Sequence, residues 1–461
     1  MNNKQPLSCQ FLSLDYSPEL AKDYFALIQH LPWSMLLNSS GHQHENSRFD
    51  ILVAQPCATV VTRGESSHYT SQGQQQQTNR DPFQLLQSLI QIEIGEGQVD
   101  TPWPFVGGAL GYFAYDLGRR VETIPTLASN DTQTADMSVG IYRCALMVDH
   151  QQQQAVVVAP TIEQAQQFLA WLTQSHAEKD GEFCLQSPWQ SNMDKTRYSD
   201  KIASVHRYLQ SGDCYQINLA QRFHAQYQGS EWQAYQRLDR ANNAPFSAFI
   251  RTDDSAILSV SPERFLQLDQ HKIETKPIKG TRPRGQTSEE DQANAAELAS
   301  ASKDQAENLM IVDLLRNDIG RVSKPGSVQV PKLFEIESFS AVHHLVSTVV
   351  GELDKQYRAC DLLRACFPGG SITGAPKVRA MEIIEELEPN RRSVYCGSIG
   401  YISAHGKMDT SITIRTLLAK QGKLYAWAGG GIVADSQWES EYQETFDKLS
   451  KILPVLQNES V

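Results

Sequence analysis

The sequence predicts an α+β protein with large β-sheets. Strand-length apolar runs dominate the first 190 residues, helices and strands alternate in blocks beyond them, and no internal repeat is visible. In chain order, Asp50-Ile-Leu-Val-Ala54 and Ala155-Val-Val-Val-Ala159 read as strands. The glutamine-rich patches at 72–77 and 151–154 read as surface turns. Residues 187–194, polar and carrying Pro188, are the expected boundary, dividing the chain into 1–190 and 191–461. Residues 196–210 predict an amphipathic helix, with Ile202, Val205 and Leu209 on one stripe. Strands are expected at 256–260 and 272–278, and one long helix at 287–317 with Ser288 as its N-cap. Three antiparallel strands follow at 397–403, 410–418 and 424–428, turned by Gly406 and Gly422. A last helix runs from about Trp438 to Leu453, where Pro454 ends it.

The chain has 461 residues, enough to bury a large core, with 40% hydrophobic and 20% charged residues. Its net charge of -12 argues against broad nucleic-acid binding, which needs a basic surface. It does not speak against an anionic small substrate, because a few cations or one metal set the local field. No apolar run approaches the roughly 18 residues of a membrane span. The eight cysteines are scattered without a Cys-x-x-Cys pair. With no apolar leader at Met1, the expectation is free thiols in a cytoplasmic protein.

Four constellations could carry chemistry. In Lys276-Pro277-Ile278-Lys279-Gly280-Thr281-Arg282-Pro283-Arg284-Gly285, prolines and glycines fix the backbone around Lys279. A nucleophilic lysine must be neutral, and Lys276, Arg282 and Arg284 are near enough in sequence to depress its pKa. The same run also reads as a basic surface turn or an anion-binding loop. Asp304 and Glu307 share one helical face, as do Glu441 and Glu444, with Lys448 one turn later. Both doublets facing one cavity would suit Mg²⁺, and spacing alone leaves a solvated face equally open for the second. Tyr442, Phe446, Leu449 and Leu453 form the expected core stripe of that last helix. In Ser261-Pro262-Glu263-Arg264-Phe265, Glu263 follows a strand and is placed either for acid–base work or for pairing with Arg264. Finally, Pro368-Gly-Gly-Ser-Ile-Thr-Gly-Ala-Pro-Lys377 is a glycine-rich loop entering a helix, suited to binding a carboxylate or to a tight turn.

Together these segments resemble the chorismate-utilising family of anthranilate, isochorismate, salicylate and aminodeoxychorismate synthases. The resemblance is carried by Gly212-Asp-Cys-Tyr-Gln-Ile-Asn-Leu-Ala-Gln-Arg222, Ser261-Pro-Glu-Arg-Phe265, Pro277-Ile-Lys-Gly-Thr281 and Ala306-Glu-Asn-Leu-Met-Ile-Val-Asp-Leu314. Further on it rests on Val342-His-His-Leu345, Gly369-Gly-Ser-Ile-Thr-Gly-Ala-Pro-Lys377, Ser411-Ile-Thr-Ile-Arg-Thr416 and Gly429-Gly-Gly-Ile-Val-Ala-Asp-Ser436. Leu31-Pro-Trp-Ser-Met-Leu-Leu37 and Gly107-Gly-Ala-Leu-Gly111 are similar to the lead segment of the amine-adding branch. The resemblance implies an intertwined, anthranilate-synthase-like fold of two large antiparallel sheets packed around helices. Residues 1–190 would form the N-terminal subdomain and 191–461 the chorismate-binding catalytic subdomain.

Two positions separate the branches. Gln216 stands where the water-adding enzymes carry a lysine base, and Lys279 where anthranilate synthases typically carry alanine; both point to amine addition in the aminodeoxychorismate branch. The implied reaction converts chorismate and ammonia to 4-amino-4-deoxychorismate, the first step toward 4-aminobenzoate and folate. Lys279 would be the covalent nucleophile and Glu263 the general acid. Glu307 and Glu444 would hold Mg²⁺, supported by Asp304 and Glu441. Gln216, Thr281, His344, Gly374, Ala375, Arg415 and Lys448 would line the substrate site. A tryptophan pocket is implied at Ser39, Asn46, Ser47, Arg48, Phe49, Pro245, Phe246 and Ser247, although Asn38-Ser39-Ser40-Gly41 departs from the Glu-Ser pair of feedback-inhibited relatives. No Gly-x-Cys-x-Gly turn is present, so ammonia is expected from solution or from a partner glutamine amidotransferase. The rival readings are an anthranilate synthase large subunit, opposed by Lys279, and a non-catalytic tryptophan-sensing or partner-docking subunit, opposed by the intact doublets and loop.

Overall fold

The structure, a computed structural model, describes residues 7–39, 47–178, 181–338 and 342–457. Its strands form two antiparallel sheets of 13 and 12 strands, with helices against both. The first runs from Gln10–Leu14 at one edge, through Phe49–Val53, Met35–Asn38, Phe246–Arg251, Ala256–Ser261 and Thr416–Lys420, to Lys423–Ile432 and Gln216–Gln228. The second runs from Ile278–Pro283, through Val342–Glu352, Arg264–Asp269, Met408–Ile412, Ser398–Ser403 and Gly108–Phe113, to Gln74–Thr78. Each sheet draws strands from both sides of residue 190, so the two expected segments are interleaved within one architecture.

Side-chain alternation explains why the early strands read as unbroken apolar runs. Met35, Ile51, Val53, Met147, Val156 and Val158 join a core cluster that also holds Val60, Val139 and Leu266 of the second sheet. Their neighbours Leu36, Leu52, Leu146, Val148 and Val157 point the other way. There they meet Phe25 and Ile28 of helix Leu20–Ile28, Phe168 of Ile162–Gln174, and Tyr235 of Glu231–Asn242. Both faces of these strands are buried, so neither face needs polar residues.

Several expected elements are divided. The long helix is two, Ser288–Ser300 and Ser302–Gly320, broken at Ala301 with ψ 96°. Its N-cap is Thr287, whose hydroxyl accepts from the Glu290 N–H. The 272–278 run is two strands, Lys272–Thr275 and Ile278–Pro283, both paired to Val342–Glu352. The 410–418 run divides into Met408–Ile412 in the second sheet and Thr416–Lys420 in the first. Gln74–Thr78 is an edge strand and not only a turn. The last helix ends at Lys448, and a short one follows at Leu453–Gln457. Its sheet-facing side is Glu441, Thr445 and Leu449, while Tyr442 and Phe446, placed in the core stripe from sequence, are only partly buried.

The chain crosses between sheets twice in one place. Ser261 to Arg264 passes from the first sheet to the second, and Ile412 to Thr416 passes back. The crossings are tied together: the Ile412 N–H donates to the Glu263 carbonyl at 3.0 Å, and the Val260 N–H to the Arg415 carbonyl at 3.1 Å. Ser261 Oγ donates to the Ile412 carbonyl, and the Ser259 and Thr416 hydroxyls share a hydrogen bond of 2.8 Å. Elsewhere, Asp136 is buried beside Asp116, Arg119 and Arg391, and its Oδ2 accepts from the Gly64 N–H at 2.6 Å. All eight cysteines are free, and among the described residues no helix is long and apolar enough to cross a membrane.

Candidate active site

Lys279 lies on the edge strand Ile278–Pro283, where the pairing with Val342–Glu352 slips between Lys279 and Thr281. Gly280 makes that bulge with φ 76°; a Cβ there would stand 2.8 Å from Leu298 and 2.9 Å from the Asp304 carboxyl carbon. Helices Ser288–Ser300 and Ser302–Gly320 therefore pack directly over the Lys279 strand. Asn308, fully buried one residue beyond Glu307, accepts from Ser347 Oγ and fixes the second helix to the strand carrying His344.

Lys279 Nζ donates to the Ser371 carbonyl at 3.4 Å. Burial holds its pKa below the ordinary lysine value and Lys448 adds to this, outweighing Glu307, Glu263 and Glu444, which favour the ammonium. The sequence neighbours do not play that part. Lys276 pairs with Glu337 at 3.4 Å, Arg282 with Glu297 and Asp304, and Arg284 with Asp291 at 2.6 Å.

Glu263 sits on the first crossing, 8% exposed. It is not paired to Arg264, which instead binds Asp409 at 2.9 Å. Glu263 Oε1 accepts from Ser371 Oγ at 3.1 Å. Burial raises its pKa above the ordinary carboxylate value, opposed by Lys279, the Ser371 hydroxyl, Arg415 and Lys448. Arg415 occupies the second crossing at φ 49°, and its guanidinium has no hydrogen-bond or ion-pair partner among the described residues. Burial lowers its pKa, while Glu263 and Tyr395 oppose that shift.

The acidic doublets converge as well. Glu307 accepts from Gln216 Nε2 at 3.5 Å, and its carboxyl is raised by burial and further by Asp304 and Glu444. Glu441 is 7% exposed, which excludes a solvated face, and is raised by burial and by Glu444. Lys448 pairs with Glu444 at 2.6 Å and donates to the Gly429 carbonyl at 2.8 Å. Glycines let these groups approach bare backbone: a Cβ on Gly430 would lie 3.1 Å from Glu441 Oε2 and 3.5 Å from Glu444 Oε1, and one on Gly431 would overlap the Gln216 amide. Asp304 is turned to Arg282 at 3.2 Å. Among the described residues no three carboxylate, imidazole or thiol groups stand close enough to enclose a metal unaided.

The glycine-rich loop lies against the same groups. Gly374 and Ala375 pair with Ile217 and Gln216, and a Cβ on Gly374 would collide with the Gln216 carbonyl at 2.2 Å. Across the pairing of the Lys279 strand with Val342–Glu352, Thr281 Oγ1 and His344 Nδ1 share a hydrogen bond of 2.8 Å. One residue that sequence reasoning passed over is Ser371, which touches both Lys279 and Glu263; it was seen only as part of the loop.

A pocket lies between the sheets. Ser39, Phe49, Pro245, Phe246 and Ser247 line it, facing Tyr401 and Asp409 of the other sheet. Ser47 is buried; Arg48 pairs with Asp149 at 2.8 Å and lies over the Phe49 ring. Asn46 lies outside the described residues.

Two large antiparallel sheets that bring a lysine, a buried glutamate and glutamates of two helices together have counterparts among known proteins. Residues 34–454 match the model of the chorismate binding enzymes, and the chain belongs to that family. Within it, the chain is 55% identical over 452 residues to aminodeoxychorismate synthase component 1 of Salmonella typhimurium, covering 98% of this chain and 99% of that one. The enzyme of that name from Escherichia coli is 54% identical over 451 residues, with coverage of 98% and 99%. Among solved structures, anthranilate synthase component I of Streptococcus pneumoniae superposes with a TM-score of 0.78 at 34% identity, over 88% of this chain and 92% of the other.

Proposed function

We propose that this chain converts chorismate and ammonia to 4-amino-4-deoxychorismate, with Lys279 as covalent nucleophile and Glu263 as general acid. The observation that carries this reading is the pairing of a lysine amine held below its ordinary pKa with a buried carboxyl held above its own, both bonded to Ser371. Opposed shifts of this kind separate a nucleophile from an acid at one pH. The names of the relatives at 54–55% identity support the same reaction.

Chorismate has no carbonyl at the attacked carbon, so a Schiff base is not available. The neutral Lys279 amine instead forms a bond to ring carbon 2. The ring double bonds shift, and the 4-hydroxyl leaves as water with the Glu263 proton. Ammonia then bonds to carbon 4, the double bonds shift back, and the Lys279 nitrogen departs. One difficult substitution becomes two easier ones. Gln216, a neutral amide, offers no base to activate water, which favours ammonia as the incoming nucleophile.

Arg415, whose guanidinium has no hydrogen-bond or ion-pair partner among the described residues, Lys448 and the backbone at Gly374 and Ala375 would receive the substrate carboxylates, with Thr281 and His344 along the ring. Glu307 and Glu444, supported by Glu441 and by Asp304 beside Arg282, would offer an all-oxygen donor set to Mg²⁺ kept partly hydrated and shared with a ligand, the ion taking the place that Lys448 holds on Glu444. When bound, Mg²⁺ would supply charge to fix the ring carboxylate.

The same reading makes residues 191–461 the catalytic subdomain and 1–190 its N-terminal companion. It gives the chain a cytoplasmic setting and a glutamine amidotransferase partner as ammonia source. The pocket between the sheets would take tryptophan.

Intact-protein mass spectrometry with chorismate and Mg²⁺, without ammonia, tests the chemistry. The expected result is a chorismate-derived adduct on Lys279, absent in Lys279→Ala and released as 4-amino-4-deoxychorismate when ammonia is added. Equal product from both proteins without an adduct would overturn the covalent role, and formation of anthranilate would overturn the branch.

A further inference from the structure

We infer that Ser371 is a positioning residue that aims the nucleophile and the acid together, its carbonyl holding Lys279 and its hydroxyl holding Glu263. The inference rests on the roles proposed above for those two groups.

A neutral lysine amine has two N–H bonds and one lone pair. The Ser371 carbonyl, 3.4 Å from Nζ, takes one N–H and so turns the lone pair away from the loop. The Ser371 hydroxyl donates to Glu263 Oε1 at 3.1 Å. An oxygen that accepts this bond leaves the acidic proton to Oε2, so one residue fixes both the direction of attack and the oxygen that delivers the proton.

The loop around Ser371 is held on every side. Arg392, 1% exposed, donates to the Ile372 carbonyl at 2.8 Å. The Asn218 N–H donates to the Thr373 carbonyl at 2.9 Å, and Thr373 Oγ1 to the Gly369 carbonyl at 3.2 Å. Gly370 packs under Leu314, where a Cβ would stand 2.4 Å from a methyl carbon, and Gly369 lies against Ile412. Ser371 is thus set by the scaffold and not by its two partners. The charged groups that face Glu263 besides Ser371 are Lys279, Arg415 and Lys448, each of which favours the carboxylate.

The test compares Ser371→Ala, which keeps the carbonyl and removes the hydroxyl, with Ser371→Thr, which keeps both. Adduct formation on Lys279 and steady-state product formation are followed from pH 6 to 9, and circular dichroism checks the fold. For Ser371→Ala, kcat is expected to fall about 10- to 100-fold, the effect of one hydrogen bond to an ionisable group, with KM for chorismate little changed. Its alkaline limb is expected to move to higher pH, because a bond favouring the Glu263 carboxylate is gone. Ser371→Thr is expected to restore both. An unmoved pH profile in Ser371→Ala, or a loss that Ser371→Thr does not restore, overturns the positioning role. Absence of any adduct in the wild-type arm instead overturns the Lys279 reading itself, so the two failures are told apart.

Discussion

Replacing Asp136 with asparagine should remove a pH-dependent cost from the folded state. Asp136 is 8% exposed, and burial, followed by the charge of Asp116, pushes its carboxyl from 3.8 up to about 6 against the opposing pull of Arg391 and Arg119. A carboxyl raised on folding favours the folded state fully below its unfolded value, and that contribution is lost as pH rises through the folded value. A rise of about two units at about 1.36 kcal/mol each makes the ionised group cost about 3 kcal/mol above pH 7. Asparagine stays neutral throughout and can still accept the Gly64 N–H that Oδ2 receives at 2.6 Å. Stability of Asp136→Asn minus wild type should therefore grow by about 3 kcal/mol from about pH 3 to pH 7, with the step broadened by coupling to Asp116. Urea unfolding at intervals across this range, with the m-value checked for constancy, gives the difference directly. A difference that does not change with pH would refute the reasoning, because only the titration of Asp136 distinguishes the two proteins across that window.

Two further outcomes follow from the nucleophile's surroundings. Gly280→Ala forces a side chain into φ 76° and against Leu298 and Asp304; left-handed strain of about 1–2 kcal/mol and overpacking of about 1–3 kcal/mol predict a loss of roughly 2–5 kcal/mol in urea unfolding, with adduct formation on Lys279 abolished. Lys448→Met removes a cation that helps depress Lys279 and frees Glu444, which favours the ammonium, so the pH at which Lys279 reacts with an amine-directed reagent, read by peptide mass spectrometry, should move upward; an unmoved or lowered pH would refute the part given to Lys448.

What the sequence disclosed and what it hid divide along the range of the interactions. Helix Lys195–Gln210 and the acidic doublets could be read because an i, i+3 spacing is local. The source of the Lys279 shift could not, because it is burial, helped by Lys448 from a distant part of the chain, while the adjacent Lys276, Arg282 and Arg284 each meet an acid of their own. The break at Ala301 falls in a run of helix-compatible residues, Ser300-Ala301-Ser302, with no proline or glycine to mark it. The passage from Ile412 to Thr416 continues the same apolar and β-branched pattern on both sides, and periodicity cannot say that a strand has changed sheets. Ser371 carried no signal beyond its place among glycines, since both of its bonds lead to residues distant in sequence.

The interleaving of the sheets has a consequence for how the chain is made. Met408–Ile412 with Ser398–Ser403 in one sheet, and Thr416–Lys420 with Lys423–Ile432 in the other, lie in the interior of each strand order and are among the last strands synthesised. Until they leave the ribosome, each sheet is a pair of fragments with open edges on either side of a gap, the arrangement from which nascent chains aggregate. Folding must therefore wait for translation of these strands and then close both gaps through contacts of long sequence separation, which makes it slow. A chain stopped short of these strands forfeits both sheets at once, and gives insoluble protein instead of a working fragment.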